Sequence, residues 1–321
     1  MNPLVPGSSP GGPKVNSNLV SRAKLITRLR QKLLSYNFFE VVTPQLQSSA
    51  ALEPFLDPLA VVGSINERGI LATSPEFALK KLWPTLHNDF QGIFEFAHCF
   101  RDDPETGIHL PEFIMLEWYM YGTLDEMREF TLELLNSLPE EYRPGLTEDL
   151  ELPKIWEQTL LSPFDTRTET LTSLANRLNI SFSQGNATEL EARDFLFSSI
   201  LEQHLTPRLT QSSKAFTLRN WPPWLRGMSK LNKDGTSARF EMYINGLEIC
   251  NAYDEESDPE TILTVWQQNN KIRKTRNKPE HKIDHELLNA LPSLEGVTGN
   301  ALGIDRLMMA ARLTEAETSK L

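Results

Sequence analysis

FAHCFRDDPETGIHLPEFIMLEWY, residues 96–119, is the stretch that decides how this 321-residue chain is read. An apolar, strand-like run ends at Arg101, an acidic loop with Pro104 and Gly107 follows, and a second run returns through His109, Phe113 and Glu117. Such a hairpin can hold a nucleotide. Arginine grips phosphate oxygens in pairs, an aromatic face stacks on a purine, and carboxylates bind an ammonium or a metal ion. An ordinary hairpin with charged rims has the same pattern, so its meaning rests on what else the chain carries.

Two later segments narrow it. In RFEMYINGLEICNAYDEESD (239–258), apolar residues alternate up to Asn245-Gly246, a type I′ turn signal, and continue on the return arm. Glu241 and Glu248 then stand on opposite arms, where paired strands can bring both carboxylates to one face. There they repel unless a cation or ammonium lies between them. Apolar flanks make Glu241, Glu248 and Glu255 candidates for a lined pocket, whereas Glu256, Asp258 and Glu260 read as solvated surface charges. In GNALGIDRLMM (299–309), two glycines bracket Ala301-Leu302, and Ile304, Leu307 and Met308 fall at helical spacing around Asp305-Arg306. Glycine lets backbone approach a ligand closely, and a helix start with an arginine suits a phosphate.

Taken in this order, the segments resemble the catalytic core of class II aminoacyl-tRNA synthetases, most closely the lysyl subgroup, over residues 19–313. FFEVVTPQL (38–46), FRDDPETGIHLPEFIMLEWY (100–119) and GNALGIDRL (299–307) are similar to the family's three motifs. TSPEFALKKL (73–82) is similar to the lysyl-type segment that reads a substrate amine, and RFEMYINGLEICNAYDE (239–255) to the paired-glutamate hairpin. The resemblance implies an α+β fold, an antiparallel sheet flanked by helices, with ATP and Mg²⁺ as cofactors. It implies that Arg101 holds the α-phosphate and the reacting carboxylate, with Asp103, His109, Phe113 and Arg306 around ATP. Glu241 and Glu248 would hold the metal ion, and Ser74, Glu76, Glu117, Tyr119, Asn251, Glu255 and Ala301 would form the amino-acid pocket.

The layout points further. The residues ahead of the first-motif helix are too few for the anticodon-binding barrel that precedes it in lysyl-tRNA synthetases, and no further domain is expected after the third motif. That layout, the LEWY ending at 116–119 and Ala301, where the synthetases usually carry glycine, resemble the elongation factor P lysine ligases. These stand-alone enzymes aminoacylate a protein lysine. The expected partners are therefore elongation factor P and lysine or (R)-β-lysine, with a homodimer through the first-motif region, no tRNA, no membrane and a cytoplasmic setting. The chain departs from the pattern at Asp103, in place of glutamate, and at Gly107 or Ile108, in place of a basic residue. It also departs in NWPPWLRGMSKLN (220–232), where Trp221 and Trp224 are bulky in a stretch that lies beside the substrate pocket in the ligases. Two alternatives stay open: an enzyme that charges another carrier, tRNA or carrier protein, and a catalytically silent regulatory paralogue.

Composition sets the bounds. A net charge of −11 argues against a broad nucleic-acid-binding surface, because neutralising phosphates takes clustered lysine and arginine. The densest basic cluster, Lys271, Arg273, Lys274, Arg276 and Lys278, is either a patch for an acidic partner or a solvated helix end. Cys99 and Cys250 lie in apolar runs without CxxC spacing, as free buried thiols do. Residues 1–18 read as a flexible Pro, Gly and Ser-rich tail and 19–321 as one catalytic domain. Helices are expected at 20–35, 125–138, 171–178 and 190–202. The span 139–207 is expected to be a helical insertion with no chemistry of its own. The segments 70–72, 93–99 and 113–119 are expected to join the 239–252 hairpin and the third-motif strand in one antiparallel sheet.

Overall fold

The computed structural model describes residues 17–49, 53–64, 67–86, 89–102, 108–182 and 188–318. The tail at 1–16 and residues Asp103 and Gly107 lie outside them. The strands are β1 Phe38–Glu40, β2 Leu46–Gln47, β3 Ala60–Val62, β4 Glu67–Leu71, β5 Gly92–Phe100, β6 Glu112–Tyr121, β7 Thr147–Glu151, β8 Ala215–Trp221, β9 Ser237–Ile244, β10 Leu247–Asp254 and β11 Val297–Gly303. The helices are α1 Ser17–Ser35, α2 Glu76–Leu86, α3 Leu124–Asn136, α4 Leu152–Leu160, α5 Thr168–Arg177, α6 Glu189–Ile200, α7 Thr206–Ser212, α8 Pro259–Thr275, α9 His285–Ala290 and α10 Ile304–Thr318. Eight strands form the main sheet in the order β1-β5-β6-β11-β10-β9-β8-β7.

The middle of the sheet is antiparallel. β5 and β6 pair from Gly92↔Met120 to Phe100↔Glu112. In the β9–β10 hairpin, Asn245 (φ 51°) and Gly246 (φ 77°) both adopt the left-handed conformation that a type I′ turn requires. Both edges are parallel, β1 beside β5 and β7 beside β8. Parallel neighbours need a long crossover, and the chain provides one in each place: the small sheet with α2 in the first, α4 to α7 in the second. The span 139–207 therefore contributes an edge strand, β7, as well as helices. Segment 70–72 does not join the main sheet. β4 sits in a separate three-stranded sheet, β2-β4-β3, and Ala72 only tethers it, donating its N–H to the Gln45 carbonyl and accepting from Phe100 N–H at 2.8 Å.

One face of the main sheet is an apolar core. Leu25, Leu29 and Leu33 recur every fourth residue along α1 and are fully buried with Trp118, Phe240, Met242, Leu302 and Leu307. Each such leucine contributes about 1.5–3 kcal/mol by leaving water. A second core under α4 to α7 gathers Trp156, Phe197, Phe216 and Trp221, and a third joins α2, α8 and α9 around Trp83 and Trp266. Capping boxes start α3 (Thr123 with Glu126) and α6 (Thr188 with Glu191). Asp305, at the start of α10, accepts from Ile114 N–H at 2.8 Å and pairs with Arg22 at 3.3 Å, locking β6, α1 and α10 together.

The basic cluster on α8 divides: Lys271 and Lys274 are exposed, as a solvated helix end would be, while the other three are taken up by carboxylates of this chain. Arg273 is buried and pairs with Asp57 at 2.9 Å, Lys278 reaches the same carboxylate at 2.7 Å, and Arg276 pairs with Glu191 at 2.8 Å. These bonds latch α8 to the segment around residues 53–57. Cys99 and Cys250 are free and buried. No helix among the described residues is long and apolar enough to cross a membrane.

A glycine holds the sheet edge in register. A Cβ at Gly92 would overlap the Tyr119 carbonyl oxygen and the Phe38 ring. Gly92→Ala is expected to destabilise the protein by about 1–3 kcal/mol through overpacking, read as a lowered midpoint in urea unfolding.

Candidate active site

The sheet face opposite α1 carries a cavity of about 230 Å³, with the start of α10 at its border. Its floor follows from strand register, since residues paired across adjacent strands share a face. One row runs Tyr119, Gly299, Tyr253, and the next runs Glu117, Ala301, Asn251, Glu241. The two small residues leave room between walls that bear polar side chains. A Cβ at Gly299 would stand 2.5 Å from both Glu255 Oε1 and Tyr119 Cε1, so only glycine lets those two groups meet above the floor.

A bulge sets which side chains of β10 face the cavity. Glu248 pairs with Tyr243, but the next pair is Cys250 with Met242, leaving Ile249 as the extra residue. Strict alternation from Glu248 would aim Cys250 and Ala252 at the cavity. The inserted residue reverses that parity, so Asn251 and Tyr253 share Glu248's face while Cys250 and Ala252 enter the core.

At one end lies a cluster of carboxylates. Lys80 Nζ is fully buried 2.6 Å from Glu76 Oε1 and 2.6 Å from Glu255 Oε2. Burial works to lower the Lys80 pKa, but Glu255 and Glu76 overcome it and hold the ammonium above the ordinary lysine value. The Glu255 carboxyl is pushed up to about 7 by burial, with Lys80 opposing. Burial also raises Glu117, helped by the Glu76 charge. Tyr119 donates its hydroxyl to Glu117 Oε1 at 2.5 Å, and Asn251 Nδ2 donates to the Tyr253 hydroxyl at 3.2 Å. Glu117 Oε2 and Asn251 Oδ1 are buried without a hydrogen-bond partner among the described residues. Buried acceptors left open are costly, so the cavity is built for a donor-rich ligand.

At the other end are arginines. Arg101 leaves the end of β5 with its guanidinium 5.2 Å from the centre of the Phe113 ring and Nε 3.4 Å from the Thr73 carbonyl. Arg306, in the first turn of α10, pairs with Glu248 Oε2 at 3.0 Å. Ser74, Glu76, Arg101, His109, Phe113, Glu117, Tyr119, Glu248, Asn251, Glu255, Ala301 and Arg306 all line the one cavity. Asp103 lies outside the described residues.

Glu241 is the exception. It is buried behind the wall, with one oxygen bound by Arg239 and the other accepting from the Tyr243 hydroxyl at 2.6 Å. Burial and the Glu248 charge push its carboxyl up to about 7 against the pull of Arg239. Trp221 and Trp224 do not line the cavity either. Both belong to the second core, where the Trp221 ring lies 4.8 Å from the Arg239 guanidinium.

Sequence reading missed Lys80, Arg239 and Tyr253. Signals existed: Lys80 is four residues after Glu76 on one helix, and Arg239 is two residues before Glu241 on one strand face.

A mostly antiparallel sheet that carries arginines and clustered carboxylates on one face defines a synthetase-type catalytic domain. The family "tRNA synthetases class II (D, K and N)" matches residues 11–317, and the chain belongs to it. It is an ATP-dependent ligase. Among curated relatives, it is 28% identical over 312 residues to the elongation factor P–(R)-β-lysine ligase of Pasteurella multocida strain Pm70, covering 92% of this chain and 90% of that protein. The ligases of the same name from Salmonella arizonae and Yersinia enterocolitica are also 28% identical, over 310 and 311 residues, 92% of this chain in each case and 90% and 91% of theirs.

Gly299→Ala should displace Tyr119 or Glu255 and so spoil the carboxylate end alone. In ATP–pyrophosphate exchange, kcat/KM for the amino acid is expected to fall at least about tenfold while KM for ATP stays within about twofold.

Proposed function

We propose that the chain activates a lysine-type diamino acid, (R)-β-lysine in the first instance, as an aminoacyl-adenylate and transfers it to a lysine side chain of elongation factor P. The observation that carries this reading is the pair of buried, unpartnered acceptors, Glu117 Oε2 and Asn251 Oδ1, beside Glu76 and Glu255. An ammonium brings three donors and a positive charge, which is what such acceptors lack. The names of the relatives supply the β-isomer and the acceptor protein.

In the first step a carboxylate oxygen of the amino acid attacks the α-phosphorus of ATP, and the bond to the bridging oxygen breaks to release pyrophosphate. This chemistry needs positioning and charge compensation more than a nucleophilic side chain. Arg101 serves both reacting groups, stabilising charge as it develops on the α-phosphate. Phe113 offers its face to adenine, and His109 and Arg306 face the phosphates. In the second step a neutral acceptor amine attacks the activated carbonyl, the carbonyl–oxygen bond to AMP breaks, and the amine proton passes to solvent. Ser74, Glu76, Glu117, Tyr119, Asn251, Glu255 and Ala301 bind the amino acid throughout.

The donor set fits Mg²⁺. Mg²⁺ takes one or two carboxylates and leaves its other positions to phosphates and water, and Glu248 on the wall with Glu241 behind it matches that demand. When bound, the ion would neutralise charge on the triphosphate. Glu248 would be its direct protein ligand, with Glu241 held in reserve by Arg239 and Tyr243.

A homodimer through the first-motif region also belongs to this reading. Val42 is 89% exposed and Leu46 48%, beside exposed Leu34 on α1 and Phe39, whose ring stacks on Phe90 at 4.5 Å. A second copy of the chain would cover these apolar groups.

The test is ATP–pyrophosphate exchange with a panel including α-lysine and (R)-β-lysine. Exchange is expected with a lysine isomer, and Arg101→Ala is expected to lower it about 10²- to 10³-fold. Absence of exchange with every lysine isomer would sink the proposal. Labelled amino acid offered to elongation factor P and to tRNA side by side is expected to appear on the protein alone.

A further inference from the structure

Lys80 is the one lysine in the buried interior among the described residues, and it does not line the cavity. Its ammonium is nonetheless built into the site. It contacts Glu76 Oε1 and Glu255 Oε2 at 2.6 Å each, with Met228 Sδ at 3.6 Å and the Tyr119 ring at 5.8 Å. Each contact occupies one carboxylate oxygen and leaves the other for the cavity. With Glu117, three carboxylates gather around this single buried lysine, while a fourth on the cavity wall, Glu53, is offset by Arg101 and Arg239.

We propose that Lys80 is a positioning residue that sets the charge of the amine pocket. It cancels one of the three carboxylate charges, fixes Glu76 and Glu255 in place, and leaves two negative charges to meet the two ammonium groups of a diamino acid. The inference rests on the substrate reading above and adds its electrostatic basis. A buried charge without a partner is expensive, so a pocket with three bare carboxylates would take up a proton and lose an acceptor. Lys80 prevents that while keeping clear of the substrate.

The groups that bear on Lys80 and its partners come from each element packed there: Glu53 from the segment before β3, Glu76 from α2, Glu117 and Tyr119 from β6, Tyr253, Asp254 and Glu255 from the end of β10 and just beyond, and Met228 from the loop before β9. Removing Lys80 therefore has a directional consequence. Glu76 and Glu255, with no cation between them, would share a proton near neutrality, and that proton leaves as pH rises.

The experiment is ATP–pyrophosphate exchange between pH 6.5 and 9 with the lysine isomer that the wild type uses. It compares the wild type, Lys80→Met and the double variant Lys80→Met/Glu255→Gln. Lys80→Met is expected to raise the amino-acid KM about tenfold or more at pH 7, to leave the ATP KM within about twofold, and to recover part of the loss as pH rises. The wild-type KM is expected to change less over the same range than that of Lys80→Met, since Lys80 opposes the uptake of a proton by Glu255. The double variant restores the wild-type net charge, so it is expected to melt higher than the single variant and to lose the pH dependence. A Lys80→Met enzyme whose KM does not depend on pH, or a double variant that melts lower than the single, would make Lys80 a plain structural tie and overturn the proposal. Should the single variant not fold, the double variant decides alone: folding with a flat pH profile supports the charge role, and failure to fold refutes it. A wild type that exchanges with no lysine isomer overturns the substrate reading and this inference together, whereas an active wild type with an indifferent Lys80 variant overturns this inference only.

Discussion

A carboxylate cannot be taken out of water uncompensated, and the cavity face of the main sheet buries Glu117, Glu241 and Glu255. Removing one partner of a buried ion pair costs about 3–5 kcal/mol, so these groups dictate what stands around them. Glu255 has Lys80, Glu241 has Arg239 and the Tyr243 hydroxyl, and Glu117 has the Tyr119 hydroxyl. Both oxygens of Glu241 are bound behind the wall, whereas compensation in front of it is incomplete. Glu117 Oε2 and Asn251 Oδ1 stay open where the cavity begins.

The backbone makes this arrangement possible through two devices. Gly299 and Ala301 thin the floor so that side chains from β6 and β10 can converge above it. The bulge at Ile249 turns Glu248, Asn251 and Tyr253 to one side, which strict alternation cannot do, and sends Cys250 and Ala252 into the apolar core. Glu95 extends the same logic to the sheet edge. It sits opposite Glu117 on β5 and accepts the Thr43 N–H at 3.0 Å, so the turn after β1 is fixed by the strand beside the site.

Much of this was legible in the sequence, and the divisions are physical. The type I′ turn was readable because Asn-Gly has few other uses between alternating apolar residues. The residues that line the cavity were readable because they lie in segments whose order and spacing resemble a known family. Lys80 and Arg239 were not, since a lysine beside a glutamate on a helix, or an arginine on a strand, ordinarily faces water. Only the tertiary structure buries them. The pairing of Arg273, Arg276 and Lys278 escaped for the same reason: their partners, Asp57 and Glu191, lie far away in sequence. Trp221 and Trp224 stand in a stretch that lies beside the substrate pocket in the similar ligases, but here the second core takes both rings and Trp221 reaches the site only by packing on Arg239. The parallel edges escaped because pairing direction depends on crossovers that no local pattern records.

The phosphate end shows what partial compensation accomplishes. Arg306 pairs with Glu248, and Arg239 pairs with Glu241, so the charges neutralise one another within the protein. On the proposed reading, Arg306 would be the residue to meet a phosphate and Glu248 the one to meet a cation, each already balanced by the other. Glu241 is held by Arg239 and the Tyr243 hydroxyl behind the wall, whereas Glu248 lines the cavity. The two carboxylates, seven residues apart, are therefore not equivalent: Glu248 is part-exposed with one arginine partner, and Glu241 is buried with an arginine and a tyrosine hydroxyl fixing it.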